Sequence, residues 1–352
     1  MVRTLIIIPH YCDPFPDGGN ATFGSQLAIA PRVFALRACL IALMRYFGGR
    51  RLCGPHTELR VDPAMRPALD IVIVTVEGRN VLPLLAIDPE EYEVEFYSGD
   101  PLFLIFETQR IARERAGSYD LIGMMEDDLV IGDPMFFEKI LWFADRFGPD
   151  RLLQPHRVEI SRAGRIGKTL IEPTLSEETS GCFRHAAAPP RLSGEFAGRP
   201  RHFDVTTNPH SGCWFLTREQ LEAWSKEPFF YDRKADWVGP LESGATRALA
   251  LRHQIYRAVD PDPFFLEIEH SGVRFANEHL PATEPFREDP FLHLPGDDKR
   301  KPRIEGPTEQ LGRLARLRKE HAIYERIMHS RPALMRRIAR LTLDRWWKRG
   351  AI

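Results

Sequence analysis

Cysteine is scarce and unpatterned: the five, Cys12, Cys39, Cys53, Cys182 and Cys213, are odd in number and contain no CxxC spacing. That argues against a disulfide framework and a thiolate zinc site, and for a reducing compartment. Long apolar runs are missing too. The first, TLIII at residues 4–8, is too short for the core of a signal peptide, and no stretch nears the roughly 18 apolar residues of a membrane span. Neither charge is in excess: 48 Lys and Arg stand against 49 Asp and Glu, a net charge of −1. Such a balance lacks the basic footprint of a nucleic-acid-binding protein. Residues 12–24 hold no Lys or Arg and no GxGxxG or P-loop spacing. A cytoplasmic protein without a nucleic-acid partner is expected.

What is present is an ordinary globular composition, 43% hydrophobic over 352 residues, enough for one large domain with appendages. TLIII at 4–8 and IVIVTV at 71–76 are rich in β-branched residues and read as buried strands, with residues 94–97 a weaker third. Helical patterns occupy residues 26–47, interrupted at Pro31, and 101–116, with residues 48–67 a connection. Strands and helices in this order describe an α/β fold on a parallel sheet. Polar groups follow the strands: Pro9, His10 and Tyr11 behind the first, Glu77 behind the second. Open α/β sheets bind their ligands at that edge. Gly18 and Gly19 beyond it offer either a plain turn or a close approach to phosphate. Residues 161–201 show little periodicity and read as a long excursion.

The strongest chemical signal is YDLIGMMEDDLVIGDPMFF at residues 119–137. LIGMM reads as a buried strand that ends in Glu126, Asp127 and Asp128. In an extended chain Glu126 and Asp128 share one side, about 6.6 Å apart at Cα, and Asp127 faces the other. Crowded carboxylates repel, so the cluster needs a cation or a set of donors. Mg²⁺ or Mn²⁺, held by one or two carboxylates and completed by substrate phosphates, meets that need. The plainer alternative is a solvated acidic turn ahead of the helix that opens at Pro134.

This strand and turn resemble those of GT-A-type glycosyltransferases, whose D/E-x-D motif holds the metal of a nucleotide-sugar donor. Within that superfamily the EDD-L-x-I-x-DP-x-FF signature is similar to that of poorly characterised bacterial proteins. The resemblance implies a Rossmann-type three-layer α/β/α sandwich with a mixed, mostly parallel sheet over residues 1–275. Residues 276–307 would be a linker or surface wrap and 308–352 a helical appendage. It implies metal-dependent transfer of a sugar from a nucleotide-diphospho-sugar, UDP-linked donors among them, to a hydroxyl of a polysaccharide, lipid-linked glycan or protein.

The same resemblance supplies roles. Asp128 and Glu126 would bind the metal, and Glu126 and Asp127 the donor. His270, ending the apolar stretch after Phe264, matches the late metal-ligating His of the family, and imidazole favours Mn²⁺ over Mg²⁺. Ser211-Gly212 would form the turn beside the donor sugar, a simple hairpin turn being the other reading. Thr217 is placed to cap a helix, with Gln220 in the reciprocal position. Where the family's inverting members carry x-E-D, this chain reads Leu241-Glu242-Ser243, at the head of a helical pattern running to Arg257. Either Glu242 is the base, with Asp236 the second candidate, or the register differs, or the enzyme does not use this base. An equal alternative is that Glu242 sits in a first helical turn because the helix dipole favours an acid there.

Two rivals remain. A nucleotidyltransferase would want a basic, glycine-rich phosphate loop after the first strand, which residues 12–24 do not provide. A degenerate domain that binds glycans or scaffolds an assembly at the membrane is kept open by Ser243. The last helical pattern, from Leu334 to Arg349, combines an apolar stripe (Met335, Ile338, Thr342, Trp346) with Arg336, Arg337, Arg340 and Lys348. It fits either a peripheral anchor on the anionic inner face of the membrane or a terminal helix packed through its Trp pair. On the anchor reading, the full chain sediments with anionic liposomes and a chain truncated after Ser330 does not. Equal binding by both, or by neither, removes the anchor.

Overall fold

The structure is a computed structural model that describes residues 2–13, 29–48, 51–53, 58–60, 68–160 and 167–272. The Gly18-Gly19 loop, the proposed linker and appendage, and the basic terminal helix lie outside the described residues.

In chain order, β1 (Arg3–His10) leads to α1 (Ile29–Phe47), the short pair β2 (Arg51–Cys53) and β3 (Glu58–Arg60), β4 (Ala68–Thr75) and β5 (Glu93–Phe96). Next come α2 (Leu104–Arg115), β6 (Leu121–Met125), β7 (Leu129–Val130) and α3 (Phe136–Phe147). The second half runs through β8 (Arg151–Leu153), β9 (His156–Ile160), β10 (Lys168–Leu170), α4 (Glu177–Ser180), β11 (Arg191–Phe196) and β12 (Arg199–Val205). It closes with β13 (Cys213–Thr217), α5 (Arg218–Trp224), helical turns over 240–252, β14 (Gln254–Ala258) and β15 (Glu267–His270).

The central sheet has the order β13-β6-β1-β4-β5. β1 lies parallel to β4 and β6, β4 parallel to β5, and β13 runs antiparallel to β6. Because a strand's side chains alternate, β1 serves two cores. Ile6 and Ile8 pack with α1 and α3 on one face, while Leu5 and Ile7 pack with α2, α5 and the 245–250 helix on the other. The fold is α/β, a mixed and mostly parallel sheet between two helical layers. Two smaller sheets, β10-β9-β15-β7 and β11-β12-β14-β8, extend it.

Three sequence expectations change. Pro31 does not interrupt the helix: α1 runs through it without a break, while residues 26–28 of the expected helix lie outside the described residues. The 161–201 excursion holds β10, α4 and β11; strands this short leave little periodic signal. The helix expected to reach Arg257 ends at Arg252, and residues 254–258 form β14 instead, a wholly buried strand whose apolar run mimics a buried helix. By contrast Thr217 and Gln220 form the reciprocal cap as read.

Gly123 in β6 sits opposite Phe215 of β13. A Cβ there would overlap the Phe215 ring and come within 2.9 Å of Ile6. Phe215 is itself wedged against Phe136 and Phe137, so the ring has little room to yield. Gly123→Ala should destabilise the protein by about 1–3 kcal/mol in urea unfolding. A loss within experimental error would mean that the aromatic cluster can shift.

Candidate active site

Chain order reverses at β1: it proceeds outward through β4 and β5, then returns to β6 on β1's other side. The carboxyl ends of β1 and β6 therefore flank a topological switch point, where ligand crevices form. The acidic turn occupies it. It is also where the chain leaves the central sheet (β6) and enters the second (β7), so both sheets fix it. The Glu126 N–H donates to the Gly212 carbonyl at 2.9 Å, and the Ser271 N–H to the Asp128 carbonyl at 2.7 Å.

Asp127 turns inward. His10 Nδ1 lies 2.6 Å from one of its oxygens and Arg32 Nη1 2.8 Å from the other. His10 Nε2 accepts the Val81 N–H at 3.1 Å, so Nδ1 carries the proton given to Asp127. His10 and Asp127 are thus committed to each other and buried, tying β1 to β6 rather than facing a donor.

Glu126 and Asp128 belong to the other side. Arg157 of β9 donates to Glu126 Oε2 at 3.1 Å and to Glu172 at 2.6 Å. His210 Nε2 lies 3.9 Å from Glu126 Oε1, its Nδ1 paired with Thr246 at 2.9 Å. His270 Nε2 lies 3.5 Å from Asp128 Oδ2, while its Nδ1 meets Glu159 at 2.8 Å. Gly212 has φ +63°, and a Cβ there would come within 2.7 Å of the Glu126 carboxyl. Only glycine suits that turn on both counts.

Burial and the charge of Asp128 raise the Glu126 carboxyl to about 7, against the pull of Arg157 and His270. Burial also opposes ionisation of Asp128, yet His270, with Arg32 and Arg157, holds its carboxyl below the usual range. His270 is the mirror case: burial disfavours its charge, and Asp128 and Glu159 hold its pKa up. His210 is pushed well down by burial and by Arg157 and Arg257, and stays neutral.

The structure thus brings Glu126, Asp128, Ser211, Gly212 and His270 together, with His10 and Asp127 behind them. Ser211 is buried and donates to the Pro155 carbonyl at 2.9 Å, anchoring the turn. Pro9 is buried within β1. Tyr11 bonds Asp13 and Arg79, both at 3.3 Å, at the edge shared by β1 and β4. Glu77 is exposed at the tip of a tight turn closed by Val76 and Arg79. Asp236 pairs with Arg247 at 2.7 Å. Glu242 folds back over Gly239, where an added Cβ would come within 2.8 Å of it. Ser243 is stapled to Trp237, donating to its carbonyl at 2.8 Å and accepting its N–H at 3.0 Å. A carboxylate at 243 could not donate to that carbonyl. Arg32, Arg157, Glu159, Glu172 and His210 were not singled out by the sequence reading; the one available signal was R-V-E at 157–159, which puts Arg157 and Glu159 on one face of a strand.

Among the described residues no set of three or more His, Cys, Asp or Glu forms a metal cage. What exists is a two-ligand corner. Asp128 Oδ1 is buried without a hydrogen-bond partner, as is Glu126 Oε1. His270 Nε2 faces Asp128 at a spacing that two adjacent ligands of one cation would share. Glu126 Oε2 is taken by Arg157 at 3.1 Å. Asp128 and His270 thus suit a divalent cation completed by substrate phosphates.

No family model matches the chain, and no curated protein matches it. Among solved structures, a Desulfovibrio desulfuricans G20 protein provisionally described as a nucleotide-diphospho-sugar transferase aligns at TM-score 0.33 and 9% identity, over 72% of this chain and 79% of that one. S. aureus TarS 1-349 aligns at 0.38 and 11%, over 78% and 62%. Mouse xyloside xylosyltransferase 1 aligns at 0.34 and 11%, over 76% and 97%. Likenesses this distant carry no argument about activity, which has to come from the site.

A carboxyl raised from 4.5 to about 7 on folding favours the protonated form. Its stabilising contribution is complete below about 4.5 and is lost as pH rises through about 7. Metal-free wild type should therefore lose on the order of 3 kcal/mol across that window relative to Glu126→Gln, read by urea unfolding in EDTA. Parallel pH profiles for the two proteins would contradict this.

Proposed function

We propose that this protein transfers a sugar from a nucleotide-diphospho-sugar donor to an acceptor hydroxyl, with Mn²⁺ or Mg²⁺ held by Asp128 and His270. The observation that carries the reading is Asp128 at the switch point: its Oδ1 is buried without a hydrogen-bond partner, and its Oδ2 lies 3.5 Å from His270 Nε2. A bound cation would neutralise charge on the leaving diphosphate. The chain's own residues do the rest. Arg157 takes Glu126 Oε2, leaving Asp128 as the principal anionic ligand. The Ser211-Gly212 turn, without a Cβ at 212, keeps the crevice wall low beside the donor. Tyr11, Asp13 and Arg79 offer a polar edge for the nucleoside.

Glu242 is assigned as the base that takes the acceptor's proton. It is half-buried and makes no ion pair among the described residues, whereas Asp236 is neutralised by Arg247. A nucleotide-sugar-binding protein without transfer is the second reading, favoured by one observation: Ser243 serves as a backbone staple where the resembled motif has its catalytic Asp.

UDP affinity with and without Mn²⁺, together with Mn²⁺-dependent hydrolysis of a panel of sugar nucleotides, separates these. Wild type should bind UDP more tightly with Mn²⁺. Asp128→Asn should lose that gain while its metal-free form still folds cooperatively, read by thermal melting. Glu242→Gln should cut turnover on the order of 10²-fold with donor affinity kept. Metal-dependent binding that survives in Asp128→Asn would remove the metal from this corner. Binding without turnover on any donor would favour the second reading.

A further inference from the structure

We propose that Glu159 positions His270, holding its imidazole with the proton on Nδ1 so that the Nε2 lone pair is turned toward Asp128; this rests on the metal reading above. Glu159 lies on β9 with 0% exposure. A carboxylate buried that completely is costly unless it is hydrogen-bonded, and its oxygen is 2.8 Å from His270 Nδ1. An ionised carboxylate only accepts, so Nδ1 must carry the hydrogen and the neutral ring presents Nε2 as an acceptor. That acceptor faces a carboxylate oxygen at 3.5 Å. Either a proton on Nε2 or a bound cation fills that gap, and with the proton fixed on Nδ1 the Nε2 lone pair is the one a cation would take.

Strand register makes the pairing. β15 runs parallel to β9, Glu267 beside His156 through Glu269 beside Val158, so the next step brings His270 beside Glu159. On its other edge β15 pairs antiparallel with β7, His270 opposite Leu129, which delivers the ring to Asp128. Arg157, two residues before Glu159 and on the same strand face, holds Glu126 at 3.1 Å. One strand therefore sets both ends of the turn. Gly272 seals the pair: a Cβ there would come within 3.0 Å of the His270 ring and 3.1 Å of Glu159.

Carboxylates that orient a ligating histidine are worth about 10- to 100-fold in metal affinity. Mn²⁺ titrated into the full chain and read by electron paramagnetic resonance, without nucleotide, should bind wild type. Glu159→Gln keeps an accepting carbonyl and should lose about tenfold, and Glu159→Leu about 100-fold. Nitrogen NMR of the metal-free wild type at alkaline pH should show His270 protonated on Nδ1. Glu159→Gln serves as the folded variant should Glu159→Leu not fold. Mn²⁺ affinity unmoved by Glu159→Gln and Glu159→Leu, or a wild-type His270 protonated on Nε2, overturns this assignment alone. A wild type that binds no Mn²⁺ overturns the metal reading and this assignment with it.

Discussion

Three consecutive acids cannot be packed at a sheet edge unless the protein supplies the opposing charge, and the rest of the site follows from how it does so. Arg32 from the first turn of α1 closes on Asp127, Arg157 from β9 on Glu126, and His270 from β15 on Asp128. Breaking such a buried pair by removing one partner costs several kcal/mol, because a charge is left stranded. The arginines therefore do in the metal-free protein much of what a cation would otherwise be needed for. The crowding expected from sequence is answered by protein donors at Glu126 Oε2 and at Asp127, while Glu126 Oε1 and Asp128 Oδ1 stay buried without a hydrogen-bond partner.

Much of the fold was legible because its signals are local. β6 has the bounds read from LIGMM, and the β-branched runs became β1 and β4. The Thr217–Gln220 cap formed because three residues suffice to specify it. The encounter of His270 with Asp128 was legible only through family resemblance, since it depends on β15 lying between β7 and β9. Arg157 and Glu159 escaped notice for the same reason, and Arg32 because the packing of α1 buries it: an isolated Arg or Glu looks like a solvated surface residue until the tertiary fold covers it.

His10 shows the opposite failure. A polar residue at the end of the first strand reads as a ligand contact, yet both ring nitrogens are spent inside the protein. The polar carboxyl edge is thus divided. One part, His10 with Asp127 and Arg32, joins β1 to β6 and α1. The other, Asp128 with His270 and Glu159, is held by the second sheet. Because the turn is clamped by two sheets at once, its carboxylates have little freedom to relax, which is the condition for preorganised binding.

The central claim is that the Asp128–His270 corner holds a divalent cation against a diphosphate. A crystal of the protein grown with Mn²⁺ and UDP, examined at the manganese absorption edge, tests it directly. The account predicts an anomalous peak within bonding distance of Asp128 and His270 Nε2, with the diphosphate on its open side and Arg157 still paired to Glu126. Manganese bound elsewhere, or UDP seated away from the switch point, would contradict it.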